Sequence, residues 1–332
     1  MKIKRKNFFR NNIYKTKFLL YTKLRFKQRS VFMKTIGIIG LGKMGFNLAL
    51  NAQDHDWNVI GFDEDSKVRK KAVRASVQTV DSLGALIESL ETKKIILLST
   101  PAGEITNHLI DKLKENLQAG DIIIDSGNSN FKDSLKNYQS LKEKDIGFID
   151  CGTSGGVSGA RHGACLMIGG EQEVYDDIAD FFEAISIKGG CLFVPEPSAG
   201  HYLKMVHNGI EYGMMQAIGE GFSVLEASGF NYDYAKVANV WDHGSVIRSW
   251  LVEIAGEAFK DDAKLEKIEG IIEANGEAQW TVEEALQLEV PVPVIANSLF
   301  VRNSSKLTDS FSNKVVAALR HGFGGHAVKL KE

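Results

Sequence analysis

Five polar side chains able to bind ligands or move protons stand close together in "KMVHNGIEYG": Lys204, His207, Asn208, Glu211 and Tyr212. They fall at i, i+3, i+4, i+7 and i+8, the spacing of one helix face. At 100° per residue they share an arc of about 140°. An amine, an imidazole, a carboxyl and a phenol make a set of proton-transfer groups with widely spaced ordinary pKa values. A solvated face would account for Lys204 and Glu211 at little cost. It accounts less well for the His-Asn pair and for Tyr212. Met205, Val206, Gly209 and Ile210 fall outside the arc and are the expected apolar packing face. The pattern predicts one long helix from about His201 to Ser228, opened by the punctuation "EPSAG".

The segment before that helix must supply what its polar face points at. From Lys34 the chain alternates short apolar runs, "TIGIIG", "NVIGF", "KIILLS", "DIIIDS", "IGFID" and "CLFV", with amphipathic stretches such as "EITNHLIDKLKENL". Such alternation predicts α/β architecture with right-handed crossovers. The first turn reads "GLGKMG", with Gly40, Gly42 and Gly45 separated by Leu41, Lys43 and Met44. It follows a strand, opens a helical stretch, and precedes an acidic residue, Asp63, twenty-three positions after Gly40. In that context G-x-G-x-x-G is the fingerprint of a dinucleotide site. All six residues of the turn are candidate cofactor contacts. Asp63 would accept hydrogen bonds from the adenosine ribose. Glu64 follows it, so a 2′-phosphate would meet two carboxylates, softened only by Lys67 or Arg69. The expected cofactor is NAD rather than NADP. The expected fold is a Rossmann-type doubly wound parallel sheet followed by an all-α C-terminal domain.

Ligands of doubly wound sheets bind beyond the carboxyl ends of the strands. Two loops there are rich in Ser, Asn and Gly: "SGNSN", with Asn128 and Ser129, and "CGTSGGVSGARHG", with Ser154, Gly155 and Gly156. Their backbone amides and short polar side chains suit hydroxyl-rich or anionic ligands. The same composition describes ordinary turns, and the position of the loops favours function.

Charge is unevenly distributed over the 332 residues. Residues 1–32 hold eleven Lys or Arg and no acid, leaving 29 bases against 42 acids in the rest, a net −13. A nucleic-acid arm or a targeting segment would have this composition. Upstream sequence ahead of a start at Met33 would have it too. The expected division is a basic, disordered extension over 1–32, a dinucleotide-binding domain over 33–196, and a helical substrate and oligomerisation domain with a C-terminal tail over 197–332. Three scattered cysteines with no ligand spacing predict reduced thiols, a cytoplasmic location and no metal site. No run reaches the ~20 apolar residues of a membrane span.

The motifs "GLGKMG", "IIDSGNS", "SGGVSGARHGACLMIGG", "GHYLKMVHNGIEYG" and "RHGFGGH" together resemble the decarboxylating 6-phosphogluconate dehydrogenases. The resemblance runs from Met33 almost to the end. The related β-hydroxyacid dehydrogenases of the 3-hydroxyisobutyrate type, which do not decarboxylate, share the glycine turn, the Ser-Gly-Gly loop and the helix lysine. They are the alternative, but their lysine is typically followed by Asn-Asn.

The resemblance implies that Lys204 takes the proton of the sugar C3 hydroxyl while hydride leaves for the nicotinamide. A lysine in that role must first be neutral, a state that burial favours. The resulting 3-keto acid loses CO2 without a metal, because its keto group is the electron sink. Glu211 then protonates C1 of the product, ribulose 5-phosphate. Asn128, Ser154, Gly155, Gly156, His207 and Asn208 would hold the carboxylate and hydroxyls, with Asn128 also near the cofactor. Tyr212 and Arg302 would meet the phosphate. Arg320 and His326 match a tail that reaches a neighbouring subunit's site, which implies a homodimer or homotetramer. No nucleic-acid or membrane partner is implied. The chain departs from the longer members in ending soon after "GFGGHAVK", as the short NAD-preferring class does. It also carries Asn275 where they have a phosphate-contacting lysine.

Overall fold

The structure, a computed structural model, describes residues 34–90, 93–274 and 276–330. The basic segment 1–32 and Asn275 lie outside the described residues. By contacts the chain divides into two compact units within one long helix, between Lys204 and Met205.

The first unit opens with β1 (Thr35–Ile39), α1 (Lys43–Asp54), β2 (Asn58–Phe62), α2 (Ser66–Arg74), β3 (Gln78–Thr79), α3 (Leu83–Ser89) and β4 (Ile95–Leu98). It continues through α4 (Glu104–Asn116), β5 (Ile122–Asp125), α5 (Phe131–Lys142) and β6 (Gly147–Ser154). The sheet order is β3-β2-β1-β4-β5-β6-β7-β8. Winding turns back beside β1, so the ligand-binding switch point lies beyond the carboxyl end of that strand.

β4 and β5 are buried at every residue, as parallel strands covered on both faces must be. Their residues go alternately to two cores. Ile36, Ile38, Leu97, Ile122 and Ile124 face one, while Ile39, Ile96, Leu98, Ile123 and Phe148 face the other.

After β6 come α6 (Gly156–His162), β7 (Ala164–Gly170), α7 (Gln172–Asp176), α8 (Ala179–Ile185) and β8 (Ser186–Val194). β7 runs antiparallel to β6, and β8 parallel to β7. The parallel sheet expected from sequence is thus corrected at one pair. β3 and β7 are also additions to the expected strands. β3 is only two residues long. β7 begins two residues after α6 and ends in Gly-Gly, so its apolar run "ACLMI" lies inside a glycine-rich stretch.

Helix α9 (Ala199–Ala227) contains the whole polar arc. The second unit holds its larger part, with α10 (Tyr234–Asp242), α11 (Trp250–Asp261), α12 (Glu277–Gln287), α13 (Pro293–Ser305) and α14 (Phe311–Gly324). One aromatic cluster joins Phe222, Tyr234 and Val252 with Trp241 and Phe259, and another joins Tyr212, Ala278 and Leu299. Among the described residues no helix is long and apolar enough to cross a membrane.

Candidate active site

In the first unit, Gly40 turns the chain out of β1 with φ +87°. A methyl group on it would lie 2.4 Å from the Ser99 carbonyl oxygen, and one on Gly45 would lie 1.9 Å from the Gly40 carbonyl oxygen. Helix α1 therefore packs on the turn at a distance only glycine allows. Gly42 caps α1 without a side-chain hydrogen bond, and a methyl group there would meet nothing within 4 Å. Free helix-end amides facing open space fit a pyrophosphate.

The Asp63 carboxylate accepts hydrogen bonds from the Leu41 amide at 2.8 Å and the Asp65 amide at 2.9 Å. It ties the turn to the end of β2, with lone pairs left for a ribose. The Leu41 side chain is buried in the core and Met44 packs against it, so Leu41 offers a ligand only backbone, whereas Lys43 is exposed. The Arg69 guanidinium folds back to donate to the carbonyl oxygens of Asp63 (2.6 Å) and Glu64 (3.0 Å).

Asn128 is exposed on the loop after β5. Ser126 Oγ and Thr153 Oγ1, 2.9 Å apart, join that loop to the end of β6. Gly155 and Gly156 both have positive φ and turn the chain from β6 into α6 beside Ser154.

Asp150, fully buried in β6, reaches the beginning of α9. Its Oδ1 accepts from the Ser198 amide and its Oδ2 from the His201 amide, both at 2.7 Å. The carboxylate caps the helix from the sheet. Burial pushes its pKa up, opposed by His201 and by the two backbone donors. A methyl group on Gly200 would come within 2.5 Å of the Met167 carbonyl oxygen. Helix and sheet thus touch backbone to backbone, one turn before Lys204. The His201 ring is buried, with Nδ1 2.7 Å from Ser134 Oγ. Lys204, the last residue of this unit, is 7% exposed.

In the second unit the polar arc divides. Asn208 and Tyr212 are 6% and 5% exposed, whereas His207 and Glu211 keep 38% of their side-chain surface open. Ile210 is 52% exposed, which corrects its place in the expected packing face; Met205 is buried as expected. The residue opposite is Thr281 of α12, whose Oγ1 donates to the Met205 carbonyl oxygen at 2.9 Å. This contact draws α12 onto the Met205–Gly209 ridge and leaves Ile210 outside. His207 Nδ1 lies 2.8 Å from Asn208 Oδ1 and 3.9 Å from Glu211 Oε2. Asn208 Nδ2 donates to Glu277 Oε1 at 2.9 Å.

The Arg302 guanidinium lies 3.3 Å from the centre of the Tyr212 ring. It also donates to the Glu273 carbonyl oxygen at 3.2 Å. Two residues ninety positions apart in sequence thus form one cationic spot. Arg320 and His326 are exposed, on and just beyond α14, a helix with no buried residue.

Residues 35–194 match the model of the "NAD binding domain of 6-phosphogluconate dehydrogenase", and residues 200–329 that of the "6-phosphogluconate dehydrogenase, C-terminal domain". The chain belongs to the 6-phosphogluconate dehydrogenase family. It is an oxidoreductase of that family with an NAD(P)-binding domain.

The chain is 38% identical to an NAD(+)-dependent, decarboxylating 6-phosphogluconate dehydrogenase of Haloferax volcanii, over 90% of this chain and 99% of that one. It is 37% identical to a decarboxylating enzyme of Staphylococcus aureus over 84% of this chain, but spans only 63% of that relative's length. Among solved structures, 6-phosphogluconate dehydrogenase of Plasmodium falciparum superposes with a TM-score of 0.76 at 29% identity, over 90% of this chain and 66% of that one. A 3-hydroxyisobutyrate dehydrogenase of Salmonella typhimurium shares the fold, with a TM-score of 0.69 at 16% identity over 82% of this chain and 93% of that one.

Three residues that touch the candidate side chains or their helix, Gly152 against the Lys204 stem among them, escape sequence reasoning. Asp150 ends "IGFID" and reads there as the close of a strand. Gly152 reads as one more loop glycine. Glu277, inside "ANGEAQWT", lies 69 residues from the asparagine it holds. No local spacing announces any of them.

Proposed function

We propose that this enzyme converts 6-phosphogluconate to ribulose 5-phosphate and CO2 with reduction of NAD. The observation that carries the proposal is the row of α9. A lysine whose stem packs on β6, an imidazole–amide pair, an open carboxyl and an arginine-covered tyrosine follow one another along a single helix. Oxidation, binding of the substrate's polar flank, protonation and phosphate binding each need one of these groups.

The turn Gly40–Gly45 and Asp63 would hold the dinucleotide. When bound, its nicotinamide accepts the hydride from C3. Lys204 takes the C3 hydroxyl proton, giving a 3-keto acid. The bond to the carboxylate then breaks, CO2 leaves, and its electron pair passes into an enediol. Glu211, whose carboxyl is open to a ligand, delivers the proton to the new C1. Asn128, Ser154, Gly155, Gly156, His207 and Asn208 bind the polar flank of the substrate, and Tyr212 and Arg302 its phosphate. Arginine suits that end because its donors fork onto phosphate oxygens.

NAD is favoured over NADP because Asp63, Glu64 and Asp65 would face a 2′-phosphate, while Arg69 is engaged by two carbonyl oxygens. The name of the Haloferax relative supports this preference, whereas NADP+ is the cofactor named for the Plasmodium enzyme. Arg320 and His326 complete a neighbouring protomer's site in a homo-oligomer. Unpaired thiols suit a cytoplasmic enzyme.

Initial rates on 6-phosphogluconate and on 3-hydroxyisobutyrate, each with NAD and with NADP, test the proposal. Nicotinamide reduction with equimolar CO2 from 6-phosphogluconate is expected, fastest with NAD. Turnover of 3-hydroxyisobutyrate alone would refute it.

A further inference from the structure

The polar groups of the second unit form a chain of hydrogen bonds whose directions are dictated by chemistry. Glu277 opens α12 behind the left-handed Gly276 and is only 2% exposed. In its ionised form that carboxyl accepts and does not donate. The Asn208 atom 2.9 Å from Glu277 Oε1 must therefore be the amide nitrogen. The other end of that amide is a carbonyl, which also only accepts. It lies 2.8 Å from His207 Nδ1, so Nδ1 must carry a hydrogen. In a neutral imidazole the two ring nitrogens have opposite roles. Nε2 is left as an acceptor on a half-exposed ring.

We propose that Glu277 is a positioning residue that acts through Asn208 to hold neutral His207 as its Nδ1–H tautomer. Resting on the activity proposed above, this assigns the substrate group opposite His207 Nε2 as a hydroxyl donor rather than a carboxylate. The two ends of an asparagine amide are nearly the same size. Without the carboxylate, the Asn208 amide can turn over and present Nδ2 to His207. Nδ1 must then accept, the proton moves to Nε2, and the ring meets a substrate hydroxyl with the wrong role. Sequence spacing cannot show this coupling, since Glu277 and Asn208 are 69 positions apart.

The full chain, with ring-15N-labelled histidine, tests the assignment by NMR at about pH 8.5, where an ordinary imidazole is neutral. The signal of His207 among the eight histidines is identified by its loss in His207→Gln. A protonated Nδ1 and a pyridine-type Nε2 are expected in the wild type. In Glu277→Gln, which keeps the side-chain shape, and in Glu277→Ala, an Nε2–H population should appear. KM for 6-phosphogluconate should rise several-fold in both, with KM for NAD unchanged. A merely structural Glu277 would leave the tautomer alone.

An Nε2–H tautomer in the wild type, or the same tautomer in all three proteins, overturns the proposal. If Glu277→Ala does not fold, Glu277→Gln decides. If the wild type shows the expected tautomer and loses it in Glu277→Gln, yet never oxidises 6-phosphogluconate, the positioning role stands and the assigned substrate falls.

Discussion

Gly152 lies directly against the stem of Lys204. A carbon added to its Cα would come within 2.3 Å of the lysine Cβ and 2.9 Å of its Cγ. Two residues earlier on the same face of β6, Asp150 grips the first amides of α9. One strand therefore holds both the start of the helix and the room for its lysine. Gly152→Ala must move the helix or the lysine, and displacements of about 1 Å can cost about 10²-fold in rate. kcat on 6-phosphogluconate should fall by about that factor, while the NAD dissociation constant, set at the Gly40 turn, stays within about twofold. Stopped-flow oxidation with parallel fluorescence titration of NAD would measure both. An unchanged kcat would mean that the lysine does not need this seat.

The Arg302–Tyr212 contact makes a prediction about binding rather than rate. Hydrogen bonds to charged groups contribute about 1.5–3 kcal/mol, equivalent to about 10–150-fold in affinity. Arg302→Ala should raise KM for 6-phosphogluconate by that factor with a smaller change in kcat. Arg302→Lys should recover little of it, because an ammonium neither forks onto phosphate nor stacks flat on the ring. An unchanged KM in Arg302→Ala would place the phosphate elsewhere.

How much of this was legible in the sequence depends on the distance between partners. The Gly40 turn could be read because strand, glycines and helix are consecutive, and its chemistry is local. The polar arc of α9 could be read because helical periodicity brings Lys204, His207, Asn208, Glu211 and Tyr212 together without tertiary information. Its division into buried and open members could not, because Thr281 of α12 decides which ridge is covered. Asp150 meets its partners 48 and 51 positions later, and Glu277 meets Asn208 across 69. The antiparallel β7 lay hidden because its apolar run sits in a glycine-rich stretch that reads as loop.

The three thiols should behave differently. Burial pushes the Cys151 thiol far up and also raises that of half-buried Cys191, whereas Cys165 is exposed. A raised pKa leaves less thiolate at a given pH, and thiolate is the reactive form. At about pH 8, close to the ordinary thiol value, Ellman's reagent should titrate one thiol quickly. That phase should vanish in Cys165→Ser, and Cys151 should react only after denaturation. Cys165 also stands opposite Ser154 in the β6–β7 pairing, which places the two side chains on one face. Saturating 6-phosphogluconate should therefore slow the fast phase, and no protection would argue against a substrate role for Ser154.

The exposed face of α14 bears on assembly. Phe311, Val316, Leu319 and Phe323 are all more than half exposed on a helix that buries none of its residues. A tail that serves a second protomer would gain cover for these side chains and would carry Arg320 and His326 with it. Subunit mixing tests this directly. On the proposed mechanism, Lys204→Met removes a site's own base, and Arg320→Ala removes what a tail lends to its neighbour. Each variant alone should be nearly inactive. Unfolded and refolded together at equal amounts, half of the dimers are mixed, and each mixed dimer has one site with both groups intact. Activity should return to about a quarter of the wild-type value. If each site used its own tail, every mixed dimer would contain one site without Lys204 and one without Arg320, and mixing would restore nothing.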